Sequence, residues 1–275
     1  MTLTTPAPVR RAVTARRTGA ARGFWLGTAG LATLLITLEI VPRVGLVQPR
    51  YLPPTSRIAT ALAREAGTAA FWTAVRDTLV AWAVGLLIAV LAGVVAGLVI
   101  GTVPALRAVT ASTIEFLRPI PPVALIPIAV LMYGTRLPST LLLVVYASFW
   151  QVLLQTLGGV VDVDPVADET ARSYGLGPVA RIRHLVWPTA LPYVLTGVRL
   201  AASVALVLAI TAELVIGSPG LGARIAVAQV SNAVPTMYAL IVVTGLLGVL
   251  VNVGARAVER RALHWHQSVR GEAAV

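Results

Sequence analysis

The chain has 275 residues, 57% of them hydrophobic and only 12% charged, with a mean hydropathy of +0.84. That balance excludes a soluble domain with a wetted surface and leaves the bilayer as solvent. A net charge of +11 would suit nucleic acid only if the basic residues formed a patch on a soluble face, whereas here they flank apolar runs, so no nucleic-acid partner is expected.

Residues 1–22 are polar, carry Arg10, Arg11, Arg16, Arg17 and Arg22, and show no apolar periodicity, which predicts a disordered or surface-lying arm. The first apolar run is Phe24 to Val41; no small-residue cleavage pattern follows it, so it reads as a retained span rather than a signal peptide. Pro42 to Asp77 is first rich in Pro and then amphipathic from Arg57 to Trp72, as expected of a segment lying on the membrane surface. Leu79 to Ile100 is the clearest span, and its Gly85, Gly93, Ala96 and Gly97 would let another helix approach closely. Pro119 to Tyr133 is apolar but holds four prolines, so it must be kinked or start late, with neighbours satisfying the freed carbonyls. Leu141 to Leu157, Tyr193 to Ile216 and Met237 to Val253 complete six spans, each near the ~20 residues that cross ~30 Å of hydrocarbon.

The expected organisation is therefore an arm at 1–22, an all-α polytopic membrane domain at 23–255, and a tail at 256–275. Six spans place both termini on one side. With that side cytoplasmic, fourteen Arg lie inside, seven outside and Arg199 within the fifth span, so the positive-inside bias favours cytoplasmic termini.

The longest polar connection, at about residues 162–190, is patterned as two short helices. Asp164 can cap the first, with Pro165 at its first position and Gly175 at its end. Gly177 and Pro178 open the second, Pro188 stops it, and Pro192 stands where the fifth span starts. Glu169-Thr170-Ala171-Arg172-Ser173-Tyr174-Gly175, followed after nine residues by Leu185-Val186-Trp187-Pro188, resembles the EAA loop of ABC-importer membrane subunits. That pattern is Glu-Ala-Ala, three residues, Gly, nine residues, then Ile-x-Leu-Pro. Glu169, Ala171, Gly175 and Pro188 match it, while Thr170, Leu185 and Trp187 differ conservatively. A short helix with small residues at Thr170 and Ala171 can lie deep in a partner's groove, with Gly175 giving a tight turn where a side chain would clash.

The likeness extends along the chain. Phe116-Leu117-Arg118-Pro119-Ile120-Pro121-Pro122-Val123-Ala124-Leu125-Ile126-Pro127, running on to Tyr133-Gly134, is similar to the third-span segment of nitrate/sulfonate/taurine permeases. Ala212-Glu213-Leu214, Gly220-Leu221-Gly222 and Glu259-Arg260-Arg261 with Trp265 are similar to later segments of that family, while Gly134-Thr135-Arg136 departs from its Gly-Ile-Gly. The resemblance implies a type I ABC importer permease in the cytoplasmic membrane, working as a homodimer with a cytoplasmic ABC ATPase dimer and an external solute-binding protein. It implies Glu169, Thr170, Ala171, Gly175, Leu185 and Pro188 as the ATPase-coupling residues, no catalytic residue, no cofactor and no metal. The absence of Lys agrees, since a chain without it has no Walker A lysine and depends on another polypeptide for ATP hydrolysis.

The alternative is a membrane-embedded enzyme or a stand-alone channel. An enzyme needs convergent polar groups at one depth, where the spans show isolated ones, and a channel has no use for a two-helix loop of this spacing. Glu213 is the principal intramembrane ionisable group and a translocation-path candidate, with bracing of the bundle as the equal alternative. Arg199, about 21 Å along the same helix, is expected to snorkel to the cytoplasmic surface, and Glu39 to stand at an interface. His184 reads as a surface residue. His264 and His266 have no Cys or acidic partners to complete a metal site. Gly217 to Gly222 lacks the Lys of a phosphate loop and reads as an outer turn or re-entrant segment, with Leu221 and Arg224 as candidate contacts for the binding protein.

Overall fold

A computed structural model describes the backbone of residues 12–263 and the side chains of residues 25–263. His264 and His266, and the arm before residue 12, lie outside the described residues. The chain divides into two compact units at residues 61 and 62.

In the first unit, helix α1 (Ala12–Arg43) leads through a Pro-rich turn to the start of helix α2 (Thr55–Ala66). Its segment Trp25–Arg43 is long and apolar enough to cross a membrane, and its apolar side chains, such as Leu31 and Ile36, point outward from the unit. The arm is not wholly irregular, because the helix already begins at Ala12. Ala and Arg are strong helix formers, and no proline interrupts the chain between Pro8 and Pro42. At its far end the Glu39 carboxylate accepts 2.9 Å bonds from the backbone N–H and the hydroxyl of Ser56, and Arg43 pairs with the same carboxylate. Glu39 thus fastens the entry of α2 to the exit of α1.

The second unit is a helical bundle. Helix α3 (Ala69–Thr102) starts ten residues before the expected Leu79, because Thr68 caps it by accepting from Phe71 N–H and the amphipathic run continues as helix. Helix α6 (Leu137–Val161) lies parallel to α3 along a seam with a four-residue period. Gly85 faces Val144, Gly93 faces Val152, Gly97 faces Thr156 and Gly101 faces Val160, so close that a methyl at any of the four would collide. Ala81 and Ala89 fill the remaining steps of the same row, whereas Ala96 lies off it. Helix α9 (Trp187–Ile216) runs antiparallel to both, with Gly197 on Gln155, Gly159 on Ala190, and Trp82 Nε1 donating to Ala202 O at 2.9 Å. Small residues let three apolar helices interlock by van der Waals contact where lipid supplies no hydrophobic drive.

Because α3 and α6 are parallel, the chain between them must return across the bundle. It does so in two pieces. Helix α4 (Pro104–Leu117) is followed by a 3-10 turn (Pro122–Leu125) and helix α5 (Ile126–Tyr133), bent by 84° from α4. The kinked third span expected at Pro119 to Tyr133 matches the second piece only; the bent pair begins at Pro104, fifteen residues earlier, and its break contains Pro119 and Pro121. As expected, a neighbour satisfies a freed carbonyl: Tyr146 OH donates to Leu117 O, four residues before Pro121, at 2.6 Å. Helix α11 (Val234–Ala262) packs on α9 and provides the last span. Among the described residues there are five helices long and apolar enough to cross a membrane, six with the bent pair counted as one.

Candidate functional site: the polar loop and the interior network

The polar connection begins with helix α7 (Pro165–Ser173). Asp164 caps it by accepting from Val166 N–H at 2.9 Å, with Pro165 at the first position. The end is a Schellman turn: Leu176 N–H donates to Ala171 O, Gly175 N–H donates to Arg172 O, and Gly175 has φ 75°. Apart from its chain neighbours, no group among the described residues lies within 4 Å of where a Gly175 Cβ would stand. Within the chain, then, backbone conformation accounts for Gly here, while the clash expected from sequence concerns a partner's groove.

The second half of the loop differs from expectation. Helix α8 (Pro178–Arg181) does not stop at Pro188; a π-helical turn (Ile182–Val186) carries it directly into α9, and Pro192 lies inside α9. Pro188 has no N–H for the preceding turn, and the wider π turn relieves the clash its ring would make with an α-helical carbonyl. The loop is therefore one short helix hinged to a helix that continues into the span.

Asp168 ties the halves together. Its carboxylate accepts from Arg172 at 2.8 Å, one turn away, and from Arg181 Nε at 2.8 Å across the turn. Burial works against the charged carboxyl, and the hydrogen bonds and charges of the two guanidiniums outweigh it, holding Asp168 below its ordinary carboxylate range. Of the six residues expected to couple, Glu169, Thr170 and Gly175 are exposed, while Ala171, Leu185 and Pro188 are half-buried at the base of the loop. His184 is exposed. Beside Glu169 and Thr170 the structure adds three apolar side chains that sequence reading passed over, Val166, Tyr174 and Val179, the last two about four-fifths exposed. Among the described residues, nothing covers this exposed aromatic and these two valines.

At the opposite end of α9, Glu213 is fully buried. Its Oε2 accepts from Thr78 Oγ1 at 2.8 Å and from Gly222 N–H at 3.0 Å, while the Thr78 hydroxyl accepts from Leu221 N–H at 2.9 Å. Leu221 and Gly222 open helix α10 (Leu221–Val230), whose second amide donates to the carboxyl and whose first reaches it through the Thr78 hydroxyl, at the end of a helix that favours negative charge. Gly217, at φ 79°, ends α9, and Gly220 leaves its Cβ position to the Glu213 carboxyl. The Gly-rich stretch is thus a turn into a short packed helix. Leu221 is in the core with Phe71, Ile225 and Leu240, and Arg224 is paired with Glu65, so neither is a free contact for another protein. Nothing in the sequence singled out Thr78. Arg199 does not merely snorkel but pairs with Glu259 of α11 at 3.0 Å. Among the described residues no group of three or more His, Asp or Glu is placed to hold a metal ion.

The fold is that of a polytopic helical membrane protein. Residues 85–264 match the family described as binding-protein-dependent transport system inner membrane component, and the chain belongs to that family. It is 31% identical over 254 residues, covering 90% of this chain and 92% of the other, to the taurine transport system permease protein TauC of Escherichia coli (strain K12). It is 31% identical over 155 residues to the putative aliphatic sulfonates transport permease protein SsuC of the same organism, covering 56% of this chain and 59% of that one. It is 29% identical over 183 residues to the bicarbonate transport system permease protein CmpB of Synechococcus elongatus (strain ATCC 33912 / PCC 7942 / FACHB-805), covering 66% of each. Among solved structures, an inward-facing conformation of the MetNI methionine ABC transporter aligns with TM-score 0.61 at 16% identity, covering 70% of this chain and 95% of that one. An amino acid ABC transporter with histidines aligns with TM-score 0.55 at 20% identity, covering 70% and 94%. The fold is that of a type I ABC importer permease, and the protein is a multi-pass membrane permease subunit.

Proposed function

We propose that this chain is the permease subunit of an ABC importer for a small solute of the sulfonate and taurine class, coupled to a separate ATPase through α7. In this reading two copies form the translocation path, an external binding protein delivers solute, and both termini are cytoplasmic. The observation that carries it is the build of the polar loop. A capped helix presents Val166, Glu169, Thr170 and Tyr174 outward, is clamped by Asp168 to Arg181, and is joined through a π turn to a span of the bundle core. A push on α7 would be transmitted along α9, because the clamp and the continuous helix leave little else to yield. Ala171, Leu185 and Pro188 would act as the base of that lever rather than as contacts. The taurine and sulfonate relatives support the solute class, and the positive-inside bias supports the orientation.

Of the two roles open for Glu213, its burial and its bonds to two other elements favour the brace. The test of the whole reading is uptake by proteoliposomes holding the purified chain, its ATPase and its binding protein. MgATP-dependent accumulation of taurine or an alkanesulfonate is expected; solute flux that is indifferent to the ATPase would overturn it in favour of a channel.

A further inference from the structure

A cavity of about 300 Å³ lies where the starts of α3 and α6 meet the turn after α9. Its polar lining is Asp77, Thr135, Arg136, Thr140 and Ser218, with Val80 and Pro219 among its apolar walls. The volume is at the small end of ligand pockets. From these groups we propose that the cavity is a solute site for a small zwitterion bearing one acidic and one amino group. The proposal rests on the permease reading above and names what the path would recognise.

Three features carry it. Arg136 has no ion-pair partner among the described residues, and its guanidinium fork is free to take an acid group with two parallel hydrogen bonds. Asp77 supplies the opposite charge. Its partner, Arg76, is the neighbouring residue at 3.0 Å with a side chain 73% exposed, a pairing weak enough for a solute ammonium to replace. Thr140 and Ser218 are both buried and joined to each other at 2.7 Å. Two hydroxyls sharing one bond use one of their two hydrogens, which leaves one buried O–H to donate to a solute acid group.

The site is held in shape before any solute arrives. Thr78, next to Asp77, is bonded to Glu213 and to Leu221 N–H, so the backbone bearing Asp77 and the turn bearing Ser218 are fixed against each other. Preformed opposite charges discriminate by difference. A solute with the acid alone gains nothing from Asp77, which then keeps its bonds from Arg76, and one with the amine alone leaves Arg136 without a counter-charge.

The experiment is equilibrium binding of radiolabelled taurine, and separately of β-alanine, to the purified full chain in lipid nanodiscs, with ethanesulfonate and ethylamine as competitors. At least one zwitterion is expected to bind, with both single-charge analogues competing at least tenfold less well. Asp77→Asn should abolish the preference for zwitterion over ethanesulfonate, Arg136→Ala should weaken both at least tenfold, and Arg76→Ala should leave zwitterion binding unchanged or tighter. Absence of binding by either zwitterion overturns the proposal, as does Arg76→Ala weakening binding as much as Asp77→Asn. Recovery of an ATPase with the same preparation tests the permease reading separately. ATPase present without zwitterion binding removes the site and leaves the permease, whereas zwitterion binding without an ATPase removes the permease reading and leaves the site.

Discussion

Thr78→Val keeps the shape of a β-branched side chain and deletes one hydroxyl from the centre of the interior network. In the wild type that hydroxyl accepts from Leu221 N–H and donates to Glu213 Oε2. Both partners are fully buried, so water cannot replace it. An orphaned buried amide costs about 1–3 kcal/mol, and a buried carboxyl losing one of two donors costs about as much again, for a total of about 2–6 kcal/mol. That is roughly a 30-fold or larger fall in the folded-to-unfolded ratio. Thr78→Ser keeps the hydroxyl and loses one methyl, about 1 kcal/mol. The assay is unfolding in mixed dodecylmaltoside and dodecyl sulfate micelles, followed by circular dichroism. A Val variant within about 0.5 kcal/mol of wild type, or a Ser variant as unstable as Val, would refute the network as a brace.

Gly175→Ala should cost about 1–2 kcal/mol of loop order because the backbone there is left-handed, while Asn, which tolerates that conformation, should cost less; hydrogen exchange over residues 165–181 measures both. Asp168 titrates below its ordinary range, so its contribution is complete above that range and is lost as pH falls through the lowered value. The distance between spin labels at Val166→Cys and Val179→Cys should therefore be constant from about pH 5 upward and lengthen only below about pH 4. Gly97→Val would place its Cβ 2.5 Å from Thr156 Cβ and should destabilise the α3–α6 seam by about 1–3 kcal/mol or more. Val95→Ile on the exposed face is the control, expected to stay within about 0.5 kcal/mol in the same micelle titration.

How far the chain could be read in advance depended on whether a feature was local. The six apolar runs, the break forced by Pro119 and Pro121, and the Asp164-Pro165 start of α7 follow from composition and dihedral limits within a few residues, and all are present. The small residues of the second span announced a close helix contact, and Gly85, Gly93 and Gly97 make it with α6 while Ala96 does not. Non-local features were not legible. Pro188 reads as a stop in any linear scan, since nothing nearby reveals that a π turn will carry the helix through it. The Asp168–Arg172 pair has a one-turn spacing that sequence displays, but Arg181 joins it only because the Gly175 turn folds the chain back. Thr78 lies 135 residues from Glu213, and a threonine near the start of an apolar span carries no mark of the carboxyl it will meet. Within the described residues close approach governs Gly97, while backbone conformation governs Gly175.

The most direct test of coupling uses the fact that the chain has no Cys, so Thr170→Cys introduces a single thiol on the exposed face of α7. Labelled with benzophenone maleimide in native membranes and irradiated, it should yield an adduct with an ATP-hydrolysing polypeptide, and its amount should change when ATP is added. The same label at Arg136→Cys, at the other end of the bundle, should give no such adduct. An α7 label that captures no ATPase, or captures it no better than the Arg136 label, would contradict the assignment of this loop as the link between ATP hydrolysis and transport.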